Sequence, residues 1–281
     1  TLLPLCWAQD PKGRPGTEAI ITALDKAIFV ESVPTGASWH FDPQSKPQLS
    51  EKEPYRLIPA SGSDFAKVLE FYQHHPVPGY DIGSVQVIYN PALNQSFALN
   101  LQLLQNRAGK SAFRARWSEE NEPADQLVQR QAIDNQWRTM AAPYMDDTFP
   151  EVKLLPLWHG TSSDVLPSLL ETGYANLALI DDGFFGKGLY STHEAEYAYR
   201  VYSKGALILN WVSTFSAYPV VFEDMANLAG KANYQNYDTH VVPVFPRDPR
   251  NPAEDTYYPC KRGQAAKYTE VVVFDLSLIH I

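Results

Sequence analysis

Three segments of the chain carry side chains able to act together chemically. Leu157-Trp158-His159-Gly160-Thr161 runs apolar into a His-Gly corner, and Gly183-Phe184-Phe185-Gly186-Lys187-Gly188-Leu189-Tyr190 sets three glycines before a tyrosine. Tyr268-Thr269-Glu270 puts a carboxylate at the mouth of an apolar run, Val271-Val272-Val273-Phe274. Glycine tolerates positive φ and lets a ligand approach the main chain, so the glycine cluster predicts a pocket wall rather than a packing face. His, Tyr and Glu, in that order, are the side chains that these segments could bring together.

Other catalytic signatures fail on inspection. Gly186-Lys187-Gly188 lacks the spacing and the Ser/Thr of a phosphate-cradling loop. His193-Glu194 is followed by Tyr197 where a zinc protease has its second histidine. There is no G-x-S-x-G nucleophile elbow and no dinucleotide-binding glycine pattern. The sequence therefore predicts no metal site.

At 281 residues, 44% apolar and 20% charged, the chain can bury a substantial core, and it has no apolar run of the roughly 18 residues that span a bilayer. Its first residues lack the basic and apolar regions of a secretory signal, and Thr1 in place of Met reads as a processed or cut chain. Cys6 and Cys260 are too few for a disulfide framework or a zinc site. Reduced thiols in the cytoplasm or nucleus, with no membrane attachment, are the expectation. A net charge of -9 argues against a broad grip on nucleic acid.

The elements that must position these residues follow from the chain in order. Residues 17–33 suggest a helix and a strand, and 34–53 a polar, proline-containing loop. Tyr55-Arg56-Leu57-Ile58-Pro59 reads as a strand. Ser63 is a candidate cap for a helix over 63–75, where Phe65, Val68, Leu69 and Tyr72 recur at helical spacing. Residues 82–89 alternate as a strand. The run Phe97, Leu99, Leu101, Leu103 and Leu104 fits either period, but Asn90-Pro91 is a helix start, which favours helix.

Residues 107–153 read as a solvated excursion with one helix around 127–140, including an acidic cluster at Glu119, Glu120, Glu122 and Asp125. A buried strand is expected at 154–158, then a short helix that Gly173 ends, and a helix over 193–203 capped by Thr192. Strands at 207–212, 219–222 and 241–245 precede a loop at 246–267, and a strand at 271–276 closes the sheet. Short strands with a few helices give an α+β class.

Three motifs in order, Leu157-Trp158-His159-Gly160-Thr161, Phe185-Gly186-Lys187-Gly188-Leu189-Tyr190 and Tyr268-Thr269-Glu270-Val271-Val272-Val273-Phe274-Asp275, resemble the catalytic domain of the poly(ADP-ribose) polymerase family, the His-Tyr-Glu branch of ADP-ribosyltransferases. Tyr55 to Pro59, the helix around Phe65 to Tyr72, and Asn90-Pro91-Ala92-Leu93 resemble the entry of the same domain. The likeness covers 53–281 and leaves 1–52 as an extension of unassigned role.

The resemblance implies a split, mixed or antiparallel sheet with peripheral helices and a nicotinamide-binding cleft, and NAD as substrate with no metal. His159 would bond a hydroxyl of the adenosine ribose, the Gly160 main chain would hold the carboxamide, and Tyr190 would stack on nicotinamide. Thr161 and Gly188 lie in the same motifs. Glu270 would hold the 2′-hydroxyl of the nicotinamide ribose. Ala198 falls where the family has a small hydroxyl residue, Tyr199 or Tyr202 would be the second stacking ring, and the donor loop would be 175–182.

Two possibilities stand beside transfer of single ADP-ribose units to a macromolecule, a protein rather than a nucleic acid: a catalytically silent module of the same fold, and an NAD glycohydrolase. Glu270 also leaves chain synthesis open. The loop at 246–267, with Arg247, Arg250, Lys261 and Arg262, is expected to shape the acceptor site.

Overall fold

Strands β1 (Arg56–Pro59) and β2 (Gln86–Tyr89) pair antiparallel, with helix α1 (Gly62–His74) between them in sequence. This is a computed structural model, and the residues it describes are 47–60, 62–113, 115, 122–146, 149–174, 183–251, 253–274 and 278–280. The elements expected at 17–33, nearly all of the 1–52 extension, Glu119 and Glu120, and the loop at 175–182 lie outside them.

Helix α2 (Pro91–Arg107) resolves the ambiguous run in favour of helix. Asn90 Oδ1 accepts from Leu93 N at 3.1 Å, satisfying a main-chain donor that a helix start leaves orphaned, while its Nδ2 donates to Leu170 O at 2.9 Å. Phe97, Leu101 and Leu104 then bury on one side. Helix α3 (Ala124–Ala141) corrects the expectation of a solvated excursion. Its Arg130, Ile133, Trp137 and Ala141 are buried, and Arg130 donates to Glu122, Asp224 and the carbonyl of Pro219.

The main sheet is built from β3 (Met145–Asp146), β4 (Phe149–Ser162), β5 (Leu189–Thr192), β6 (Gly205–Thr214), β7 (Ala217–Pro219), β8 (Thr239–Pro246), β9 (Tyr257–Pro259), β10 (Tyr268–Val273) and β11 (Leu278–His280). Between them lie α4 (Leu166–Thr172), α5 (Ala195–Tyr197), which runs into a π-turn (Ala198–Tyr202), and α6 (Met225–Leu228). The order is β11-β6-β4-β5-β10-β8-β7, with β3 on β4 and β9 on β8. Its strand pairs are antiparallel except β7 with β8. The class is α+β.

Two details differ from the sequence reading. Strand β4 runs on to Ser162, so His159-Gly160 lies within a strand rather than at a corner. Strand β10 does not close the sheet but lies inside it, between β5 and β8. Both faces are covered. Leu154, Trp158, Leu209 and Trp211 pack with Val68 and Tyr72 of α1 and Phe97, Leu101 and Leu104 of α2. Leu155, Leu157, Leu189, Val271 and Val273 pack with Ile133 and Trp137 of α3. Among the described residues no helix is long and apolar enough to cross a membrane.

Candidate active site

Glu270 is 2% exposed, opposite Thr192 on β5 and Val242 on β8. Strand alternation sends Val271 and Val273 towards α3, so Glu270 shares the other face with Tyr268 and Val272. There its Oε1 accepts hydrogen bonds from two phenols, Tyr197 and Tyr202. Its Oε2 has no hydrogen-bond partner among the described residues. Burial pushes the carboxyl up to about 7, and the two phenols offset only part of that. The strand-mouth carboxylate expected from the sequence is in fact a buried one that changes charge near neutrality.

Tyr190 pairs in register with Val272, two residues along from Glu270 on the same face. Its hydroxyl donates to Gly186 O at 3.0 Å and accepts from Phe185 N at 2.8 Å, which fastens the ring to the glycine loop. The Tyr190 and Tyr202 rings are neighbours, tilted by 41° with centroids 6.1 Å apart. A flat ring held between two others needs about 7 Å between parallel planes, twice a carbon–carbon contact, so this pair would have to part and realign to admit one.

The two candidates for the second aromatic are separated by the π-turn. Ser203 N bonds Ala198 O at 3.1 Å, five residues back, and this wider turn accompanies the placing of Tyr202 against Tyr190 and Glu270. Tyr199 instead packs on Tyr80, 5.3 Å away. Gly160 makes the turn possible. A Cβ there would lie 2.3 Å from Ala198 O and 2.6 Å from Ser203 N. Ala198 is fully buried in the cluster that holds Trp158 and Ala195.

His159 closes the group from β4. Strands β4 and β5 pair at one register position, Trp158 with Thr192, and beyond it the imidazole takes over: Nδ1 donates to Tyr190 O at 2.8 Å. A carbonyl only accepts, so Nδ1 carries the proton and Nε2 is left as an acceptor. Burial lowers the ring below the usual histidine range, against a smaller opposing effect of the Tyr190 carbonyl, and the neutral form prevails. Tyr174 meets the ring edge-on at 5.1 Å. Thr161 lies further along β4, where its carbonyl accepts from Lys204 N at 2.9 Å.

The glycine cluster is a packing device. A Cβ on Gly188 would sit 2.7 Å from both Val272 Cγ1 and Val273 O. On Gly186, at φ +113°, it would meet the Phe274 ring at 2.7 Å. These contacts with the protein's own atoms account for the missing side chains at both positions.

Two residues of the site had no sequence signal. Tyr197 is joined to Glu270 across 73 positions, and nothing in the spacing links them. His240 is fully buried, its Nδ1 donating to Phe185 O at 2.7 Å and its Nε2 accepting from Tyr234 N at 3.0 Å. It anchors the loop that holds Tyr190.

Two cavities, of about 270 and 440 Å³, lie elsewhere, one beside Leu104 and Phe274 and one between α3 and the loop at 260–266. Neither is lined by His159, Tyr190 or Glu270. Among the described residues no cluster of three or more His, Cys, Asp or Glu is placed to hold a metal ion. Comparison with models of known protein families finds no match to the chain, and comparison with curated proteins finds none either.

Proposed function

We propose that the chain is an NAD-dependent ADP-ribosyltransferase whose sheet, open between β4 and β5, has the split-sheet ADP-ribosyltransferase fold. The carrying observation is Glu270, with one oxygen held by two phenols and the other without a partner among the described residues, beside the neighbouring rings of Tyr190 and Tyr202. An unpartnered buried acceptor suits a substrate hydroxyl.

On this reading nicotinamide enters between Tyr190 and Tyr202, and the Gly160 main chain holds its carboxamide. Nε2 of His159 accepts from an adenosine-ribose hydroxyl. Oε2 of Glu270 accepts from the 2′-hydroxyl of the nicotinamide ribose. When the bond from ribose carbon to nicotinamide nitrogen breaks, its electron pair leaves with nicotinamide and neutralises that ring. The carboxylate stabilises the positive charge growing on the ribose. The acceptor nucleophile then bonds to the same carbon, and its proton passes to Glu270. The acceptor is a macromolecule, a protein given the chain's own net charge of -9, and it receives single units.

A silent NAD-binding or ADP-ribose-binding module is the second reading, favoured by Ala198, which offers no hydroxyl to a carboxamide. Incubation with labelled NAD and cell lysate separates the two. Nicotinamide release with label on macromolecules, both lost in Glu270→Ala, is the expected result. Release without macromolecular label would mean a glycohydrolase, and bound NAD with no release would establish the silent module.

A further inference from the structure

Glu270 is held by a residue that stands outside the ring pair. Tyr197 is 1% exposed, and its own ring is fixed on two sides, stacked on Tyr268 at 4.7 Å and meeting Tyr257 edge-on at 4.8 Å. Its ring also meets Tyr202 edge-on at 6.0 Å. A phenol packed this tightly has one direction in which to point its hydroxyl, and that direction ends on Glu270 Oε1. Tyr202 reaches the same oxygen from the π-turn, but its ring is half of the pair that must part to admit a ligand. When Tyr202 moves, Tyr197 is the donor that stays.

We propose that Tyr197 is a positioning residue for Glu270, its phenol fixing Oε1 so that Oε2 remains turned to the substrate hydroxyl. This assignment rests on the transferase reading for its use, although not for its geometry. Tyr197 meets Tyr202 of the ring pair edge-on and meets Glu270 through its phenol, so a direct titration of the carboxyl is what isolates the second contact. The groups that set the state of Glu270 are few. Burial acts first, then Tyr197 and Tyr202, and its register neighbours Thr192 and Val242 carry no charge. Burial and the nearby carboxylate push both phenols well above the usual tyrosine range, so each remains a donor wherever Glu270 is ionised.

A carboxylate that loses one of two charge-assisted donors becomes harder to ionise and freer to turn. The test is a direct titration of the Glu270 carboxyl by carbon-13 NMR in the free protein, assigned with Glu270→Gln, alongside NAD turnover. In Tyr197→Phe the midpoint is expected to rise. The turnover number is expected to fall about tenfold to a hundredfold, the span of a hydrogen bond to a charged group, with the KM for NAD unchanged. A ring-fluorinated tyrosine at position 197, which keeps the shape and donates more strongly, is expected to lower the midpoint and to fold as wild type does.

A midpoint unmoved in both variants would overturn the assignment, as would a loss of turnover carried wholly by KM. Opposite shifts in the two variants, in a protein that releases no nicotinamide, would sink the transferase reading and leave Tyr197 as the group that positions Glu270.

Discussion

The ring of His159 and the main-chain carbonyl of Tyr190 meet at 2.8 Å, where the ladder between β4 and β5 has stopped. A carbonyl freed from a sheet must find another donor or lose stability, and here a side chain supplies it. The opening between the two strands is thus held by a residue that is also oriented by it, with Nε2 left as an acceptor.

Tyr202 and Tyr199 are expected to part company when mutated. Tyr202→Ala removes one ring of the neighbouring pair and should weaken productive NAD binding by about tenfold, the value of a favourable aromatic contact. Tyr202→Phe keeps the ring and should restore most of it. Tyr199→Ala, on the Tyr80 side, should leave NAD kinetics unchanged. Steady-state KM and kcat for the three variants provide the check, and equal losses at both positions would mean that the π-turn is not the turn that selects the ring.

Gly160→Ala should be costly for a reason unconnected with NAD. Its Cβ would come within 2.3 Å of Ala198 O and 2.8 Å of the Tyr202 carbonyl carbon, both main-chain atoms that cannot step aside alone. Forced overpacking of this kind costs about 1–3 kcal/mol. Urea unfolding should record that loss, and Tyr202 should be displaced with the turn. Gly62→Ala, in α1 with nothing within 4 Å of the new methyl, is the matched control and should be neutral or stabilising. Similar unfolding midpoints for the two variants would refute the close approach.

Two buried groups should shape stability in opposite directions of pH. Glu270 lies above its ordinary 4.5, at about 7, so its contribution is complete below about 4.5 and is lost as pH rises through 7. His240 lies below its ordinary 6.5, at about 4 through burial, so its contribution is complete above about 6.5 and is lost as pH falls through 4. Each shift corresponds to roughly 3 kcal/mol. Relative to wild type, Glu270→Gln should gain stability between about pH 5 and about pH 8, and His240→Gln should do so on acidification from about pH 7 to about pH 4. Unfolding curves parallel to wild type at every pH would contradict both.

Local signals in the sequence held at some positions and not at others: Ser63, expected as a cap, lies inside Gly62–His74, and the helix expected after Thr192 starts beyond Glu194 and gives way to the π-turn at Ala198. Asn90 capped its helix, Gly173 ended one, and the segments around His159, Tyr190 and Glu270 came to lie on three adjacent strands. What escaped was set by distant packing. The apolar residues of α3 gave too weak a pattern to show that a helix with an exposed Val128 also buries Arg130 and Trp137. The π-turn exists because Gly160 lets another segment pass over β4, a contact that no spacing records. The burial of Glu270 follows from the central place of β10, and a strand ending in polar residues reads equally well as an edge.

That central place also orders events during synthesis. His159 and Tyr190 leave the ribosome well before β10, yet β5 and β8 have no shared neighbour until residues 268–273 arrive and slide between them. Until then two strands present open hydrogen-bonding edges, and the carboxylate does not exist. Assembly from such distant parts is slow, and nascent chain is exposed to pairing with the wrong partner meanwhile. In return, the Glu270 carboxyl takes its buried place only when the strands on both sides of it are present.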